Sequence, residues 1–190
     1  MNYLFFDTET TGLPKNWKAP VTDLSNWPRL VQLGFIRYNS SGIEQSRGEY
    51  IVTPNGFTIP TAASDVHRVT TERALQEGVE LDFVLDELLS EIRVADCLVA
   101  HNMSFDEKII GAEFLRRGDT NHLNGKSKIC TMHSTTDFCA LEGYYGHKWP
   151  KLEELYFKLF GCNFDNAHSA IADIEATAKC FWELKSRSIL

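Results

Sequence analysis

Three apolar segments near the start of the chain have the length and residue types of β-strands. They span residues 3–6, 30–38 and 48–53, and aromatic and β-branched side chains are frequent in them. A turn-like Asn-Ser-Ser-Gly cluster at residues 39–42 separates the second segment from the third. This arrangement favours an antiparallel meander in the first part of the fold.

Helical and strand patterns alternate in the rest of the chain. Apolar residues recur three or four positions apart over residues 81–94, which indicates a helix. Similar patterns and glycine stops predict a short helix from residues 70–72 to Gly78, helices at residues 105–117, 152–160 and 169–185, and strands at residues 97–100 and 128–131. We therefore expect an α/β fold with a five-stranded mixed sheet, in which the first three strands are antiparallel and the later ones parallel, flanked by helices.

Residues 14–28 follow neither pattern. They contain three prolines and two tryptophans, Trp17 and Trp27, which favours a long surface loop inserted into a single domain of residues 1–190. The loop directly follows an acidic motif, and loops in such places often cover a site. The two tryptophans either stack on bases of a nucleic acid or pack the loop onto the protein, and the sequence leaves both readings open.

Composition limits the classes of protein to which the chain can belong. Hydrophobic residues make up 43% and charged residues 24% of its 190 residues, which suits an ordinary folded core. No apolar run approaches the roughly 18 residues of a membrane span, and the first residues lack the basic region of a signal peptide. We expect a cytoplasmic protein without a membrane partner.

Charge and cysteine spacing narrow the choice further. The net charge of −7 argues against binding to nucleic acid through a broad basic surface, but it is compatible with an acidic site that binds cations. The five cysteines are scattered, and no pair has C-x-x-C spacing, so they are expected to be reduced, buried thiols rather than zinc ligands or a redox pair.

Two carboxylates, Asp7 and Glu9, close the first predicted strand. Residues two apart in a strand point to the same side, so these side chains should be neighbours. Such a pair is costly without a cation, because the charges repel and lose hydration. A solvated acidic loop is the ordinary alternative, since the D-x-E pattern is common.

Three more candidates lie near helix starts: Asp106, His168 and Asp173. Within one helix, residues five apart differ by about 140° around the axis, so His168 and Asp173 converge only if His168 precedes the helix. Each residue alone is compatible with an ordinary surface role. Together, four carboxylates at strand ends and helix starts suit Mg²⁺ or Mn²⁺ and the hydrolysis of phosphate esters with two metal ions.

The segments FDTETTGL, AHNMSFD and HSAIADIEAT resemble, in order, the three motifs of the DnaQ-like exonucleases of the DEDDh type. The resemblance implies an RNase H-like fold and 3′→5′ exonuclease activity with two divalent cations. It also implies that Asp7 bridges both metals, that Glu9 and Asp173 complete the first site, that Asp106 supports the second, and that His168 is the general base. Val66 to Thr70 resembles a linking segment of the family, with Arg68 where glycine is usual.

Substrate contacts are implied by the same resemblance, at Thr10, Thr11, Gly12, Leu13, His101, Asn102 and Phe105. The expected substrate is the 3′ end of single-stranded DNA, as for the proofreading subunit of bacterial DNA polymerase III, and the implied partner is a DNA polymerase. Trimming of RNA is the alternative within the family, and a non-catalytic nucleic-acid-binding adaptor is the alternative outside it. The chain ends 17 residues after Asp173, so we expect a free-standing exonuclease domain or one recruited through its surface.

Overall fold

The computed structural model describes residues 1–165 and 169–190. Across this part of the chain, five strands form one mixed sheet in the order β3-β2-β1-β4-β5. The strands are β1 (Asn2–Thr10), β2 (Leu30–Asn39), β3 (Glu44–Ile51), β4 (Cys97–Ala100) and β5 (Ser127–Cys130). Strands β1, β2 and β3 pair antiparallel, whereas β4 is parallel to both β1 and β5, which confirms the predicted mixed sheet.

Helices cover the sheet on both faces. They are α1 (Thr61–His67), α2 (Thr71–Glu77), α3 (Leu81–Val94), α4 (Met103–Arg117), α5 (Thr131–Ser134), α6 (Thr136–Cys139), α7 (Leu152–Phe160) and α8 (Ala170–Ser186). A hairpin, β6 (Glu142–Gly143) and β7 (Gly146–His147), lies between α6 and α7. Among the helices of the described residues, none has both the length and the apolar character required to cross a membrane.

Several predicted boundaries were wrong. Strand β1 continues past Phe6 to Thr10 because its backbone still pairs with β2, so Asp7 and Glu9 lie within the strand rather than at its end. Strand β3 begins at Glu44 and not at residue 48, for the same reason. Helices α1, α5 and α6 and the hairpin were not predicted. They are too short to show a clear period, and the three helices lack the side-chain cap that marks the start of α2.

Alternation along β1 divides the core into two layers. Leu4 and Phe6 pack with α3 and α4 on one face, while Tyr3 and Phe5 pack against α8 on the other. Successive strand residues point to opposite faces. Asp7 therefore continues the face that carries α8.

Gly34 allows α8 to approach the sheet next to Asp7. It pairs with Asp7 across β1 and β2, and a Cβ at this position would lie 2.7 Å from Ile174 Cδ1 and 3.3 Å from the backbone carbon of Ala170. Any larger residue would push the first turns of α8 away from the sheet. The glycine thus sets the distance between Asp7 and the helix that carries Asp173.

Arg68 stands at the end of α1 in a left-handed conformation, with φ 63° and ψ 15°. Its N–H donates to the carbonyl of Ser64 and closes the last turn. Glycine adopts this conformation without steric cost, which explains why glycine is usual at this position in the resemblance noted above. Arginine here retains the same helix stop.

The loop of residues 14–28 is closed at its base and packed onto α4. Thr11 N–H donates to the carbonyl of Arg29, and Arg29 N–H donates to the hydroxyl of Thr11. Trp27 is 3% exposed, and its indole N–H donates to the carbonyl of Pro20. Trp27 therefore packs the loop onto the protein, which is one of the two roles predicted for the tryptophans.

A buried carboxylate, Glu113 on α4, holds the end of this loop. Its Oε1 accepts hydrogen bonds from Arg29 Nε at 2.9 Å, from the Leu30 N–H at 3.0 Å and from an Arg116 guanidinium nitrogen at 2.8 Å. Arg116 also donates to the carbonyls of Leu24 and Trp27, each at 2.7 Å. Glu113 therefore joins α4, the loop and the start of β2 in one network.

We predict that Glu113→Ala lowers the free energy of unfolding by about 3–5 kcal/mol, because it leaves two guanidinium groups without their shared carboxylate. Urea denaturation measures the loss. Glu72→Ala, at an exposed position of α2, is the matched control and should cost less than about 1 kcal/mol. A loss for Glu113→Ala as small as that of the control would contradict the proposed importance of the network.

Candidate active site

Three of the predicted metal ligands lie together. One carboxylate oxygen of each of Asp7, Glu9 and Asp173 lies within 4.8 Å of the other two. Asp7 and Glu9 share a side of β1, and Asp173 lies in the first turn of α8. The close approach of α8 at Gly34 brings the helix to the strand.

The pKa values of these carboxyls reflect their crowding. Burial, followed by the charges of Asp106, Glu9 and Asp173, raises the pKa of Asp7 well above its usual range. Burial and the charge of Asp173 raise the pKa of Glu9 to about 8. The ionised cluster is therefore unfavourable without added positive charge. A set of carboxylate oxygens under such repulsion fits hard divalent cations such as Mg²⁺ or Mn²⁺.

Asp106 joins the site from the opposite face of β1. It is 2% exposed, and its Oδ1 accepts hydrogen bonds from the Thr8 N–H at 3.0 Å and the Thr8 hydroxyl at 2.7 Å. Burial raises its pKa to about 7, although the bonds from Thr8 act in the opposite direction. Since its charge also raises the pKa of Asp7 and Glu9, the fourth predicted carboxylate belongs to the same electrostatic cluster.

A cleft of about 470 Å³ opens beside the carboxylates, with Glu9 in its wall. Five of the predicted substrate contacts line it: Thr10, Thr11, Gly12, Leu13 and Phe105. The opposite wall comes from Pro60 and from α1, through Ala62, Ala63, Val66 and His67. The side chain of Leu13 is 73% exposed at this cleft, which leaves its apolar surface free to contact a ligand.

His67 is a cleft residue for which the sequence predicted no role. Its Nδ1 accepts a hydrogen bond from the Val69 N–H at 3.2 Å, so the ring proton resides on Nε2, which donates to the Thr10 carbonyl at 3.3 Å. Burial lowers the pKa of this imidazole and favours the neutral form. His67 thus fixes the backbone of the cleft wall. The linking segment at residues 66–70 was the available signal, but it did not indicate this contact.

His101 and Asn102 lie at the end of β4, outside the lining of the cleft. The ring of His101 contacts the Thr131 hydroxyl through Nδ1 at 2.9 Å and the Pro150 carbonyl through Nε2 at 3.0 Å. Asn102 precedes α4 in a left-handed conformation, and its Oδ1 accepts a hydrogen bond from the Ser104 hydroxyl. Their roles in substrate binding stay predictions.

His168 lies outside the described residues, so its role as general base also stays a prediction. The described chain resumes at Ser169, which is the N-cap residue of α8. Among the described residues, no side-chain hydrogen bond from Ser169 caps the helix.

Comparison with known proteins places the chain in a family. The sequence model of the RNase_T exonuclease family matches residues 4–181, which include every candidate residue. The chain belongs to this exonuclease family. Membership agrees with the DEDDh-type motifs found in the sequence and with the acidic cluster beside the cleft. No curated protein sequence gave a significant match.

Solved structures similar to this exonuclease domain include forms of E. coli exonuclease I. The complex with a dT13 oligonucleotide matches with a TM-score of 0.79 at 22% identity, over 98% of this chain and 41% of that one. The dA16 complex matches with a TM-score of 0.78 at 21% identity over the same shares, and a zinc-bound DNA complex with 0.79 at 22%, again over 98% and 41%. These likenesses concern the fold, and the chain spans less than half of those proteins.

His101 should make the stability of the exonuclease domain depend on pH. Burial lowers its pKa from 6.5 to about 4 in the folded protein. Between these two pH values the unfolded chain therefore binds more protons at His101 than the folded protein does. The free energy of unfolding consequently falls as the pH drops across this window. His101→Gln should remove about 3 kcal/mol of that fall.

Urea denaturation at several pH values measures this slope. His147→Gln, in the exposed hairpin, is the matched control for replacing a histidine with glutamine. Equal slopes for His101→Gln and the control would show that the buried contacts of His101 do not carry the effect.

Proposed function

We propose that this protein is a 3′→5′ exonuclease that hydrolyses phosphodiester bonds at the 3′ end of single-stranded DNA and releases nucleoside 5′-monophosphates. The observation that carries the proposal is the position of Asp7, Glu9 and Asp173 beside a cleft with an apolar wall. Membership in the exonuclease family supports it. A pure binding module would gain nothing from carboxylates that repel both one another and a phosphate.

Two divalent cations, Mg²⁺ or Mn²⁺, are the cofactors in this proposal. Asp7, Glu9 and Asp173 would hold them, and Asp106 would complete the site from the position that Thr8 fixes. Bound cations supply positive charge that stabilises the phosphate and the departing 3′ oxygen. The zinc-bound complex of E. coli exonuclease I is consistent with cation binding in this fold.

Residues of the chain bind the terminal nucleotide and accept a proton. The cleft holds the terminal nucleotide through the backbone of Thr10 to Gly12 and through the apolar side chains of Leu13 and Phe105. Gly12 has φ 147° with open space where a Cβ would stand, so a ligand can approach the backbone closely. His168 accepts the proton of the attacking water on an imidazole nitrogen, a task that suits the usual pKa of histidine.

Single-stranded DNA is the proposed polymer because E. coli exonuclease I, of similar fold, binds dT13 and dA16 oligonucleotides. At the terminal sugar, RNA differs from DNA by a 2′-hydroxyl, so trimming of RNA is the outcome that would correct the proposal. Three further predictions rest on the sequence and its motif resemblance alone. They are a polymerase partner, similarity to the proofreading subunit and a cytoplasmic location.

The direct test is release of mononucleotides from DNA and RNA strands of the same sequence, labelled at the 3′ end. We expect release from DNA with Mg²⁺ or Mn²⁺ and none with EDTA. Asp7→Ala should lower turnover more than about 100-fold, because even outer-shell partners of a metal ligand are worth 10–100-fold. Asp137→Ala, at an exposed carboxylate in α6, is the matched control. Activity that survives EDTA or Asp7→Ala would refute the mechanism.

His168→Ala separates the proposed base from the metal ligands. Removing a general base should lower turnover about 10²- to 10⁴-fold while the affinity for Mn²⁺ stays unchanged. Calorimetric titration with Mn²⁺ compares this variant with Asp7→Ala, which should lose affinity. Equal losses of Mn²⁺ affinity in the two variants would instead make His168 part of the metal site.

A further inference from the structure

Trp17 presents an exposed aromatic ring at the edge of the cleft. Its side chain is 48% exposed, whereas Trp27 in the same loop is buried. The Trp17 ring lies 5.7 Å from the ring of Phe105, centroid to centroid, and Phe105 lines the cleft. The indole therefore continues the apolar surface that Phe105 presents to the cleft.

The backbone around Trp17 is firmly held. Asn16 N–H donates to the side-chain oxygen of Asn26 at 2.7 Å, and the side-chain amide of Asn26 donates to the Asn16 carbonyl at 3.1 Å. Lys108 Nζ donates to the carbonyl of Trp17 at 3.2 Å. Because the loop is already ordered, a ligand that stacks on the indole would lose little affinity to loop ordering.

The same loop is locally basic in an acidic chain. Residues 14–28 contain Lys15, Lys18 and a single acid, Asp23, so their net charge is +2 − 1 = +1, against −7 for the whole chain. In residues 1–165 and 169–190, no carboxylate lies within ion-pair distance of Lys15, Lys18 or Lys108. The exposed ammonium groups of Lys15 and Lys18 are therefore available to a polyanion beside the acidic site.

We propose that residues 14–28 form a second contact for single-stranded DNA. Trp17 stacks on a base upstream of the terminal nucleotide, and Lys15 and Lys18 contact the phosphates next to it. An aromatic ring with neighbouring cations is the usual composition of a surface for single strands. The inference rests on the proposed function, which puts the terminal nucleotide in the cleft, and adds where the strand continues.

Substrates of two lengths test the stacking role: a thymidine dinucleotide and an oligothymidylate about eight nucleotides long, within the span that single-strand surfaces cover. Trp17→Ala should raise the KM for the longer substrate about 5- to 10-fold, the lower range for a stacked base. The KM for the dinucleotide should change much less. Trp17→Phe should restore most of the difference, and Trp149→Ala, at a tryptophan that is 62% exposed elsewhere, should have no effect.

Two outcomes would overturn the contact: an unchanged KM for the longer substrate, whether or not the Tm of Trp17→Ala falls, or an equal rise of the KM for the dinucleotide. If the unsubstituted protein releases no nucleotide, the proposed function fails, but the contact is still measured by fluorescence anisotropy of the labelled octamer in EDTA. In that assay, equal Kd values for Trp17→Ala and the unsubstituted protein overturn it.

The phosphate contacts are tested by the salt dependence of the Kd. Replacing both Lys15 and Lys18 with glutamine should reduce the slope of log Kd against log salt by about 1.4, since each phosphate contact on a single strand is worth about 0.7. Lys158→Gln, at an exposed lysine of α7, is the control and should keep the slope. An unchanged slope in the double variant would remove the two lysines from the interface.

Discussion

Electrostatic repulsion between Asp7, Glu9 and Asp173 is the constraint on which the rest of the structure depends. Oxygens of these carboxylates lie within 4.8 Å of one another, so the fold must hold them against their own charge. Apolar packing provides the force: Phe181 of α8 is fully buried against Phe5 of β1. Repulsion between the carboxylates thus destabilises the site, and burial of the apolar core beneath it compensates.

Strand alternation links this cluster to the other face of the sheet. Asp7 and Glu9 face α8, while Thr8 between them holds Asp106 at the start of α4 through its backbone and its hydroxyl. A register slip of one residue would exchange these faces and turn Asp7 and Glu9 together away from Asp173. The long pairing of β1 with β2, from residue 2 to residue 10, therefore does more than stabilise the sheet, since it also fixes which acids meet.

Features that depend on residues close together in the sequence could be predicted from it. The two-residue spacing of Asp7 and Glu9 predicted a shared side, and apolar periodicity predicted α3 and α8. The contact between His67 and the Thr10 carbonyl joins residues 57 apart, and the contact between Glu113 and the Leu30 N–H joins residues 83 apart. Neither leaves a periodic signal in the sequence, because each depends on how distant elements pack.

Net charge is a weak guide to where this protein meets a polyanion. Screening at physiological salt limits the reach of a surface charge to about 8 Å, so the −7 of the whole chain matters less than the charges beside the bound strand. Near the cleft those are the acidic cluster, which requires cations, and Lys15 and Lys18 of the loop. A strand whose end lies in the cleft can contact both the cations of the acidic cluster and the two lysines. DNA elsewhere on the acidic surface meets neither, so binding in the cleft should be favoured.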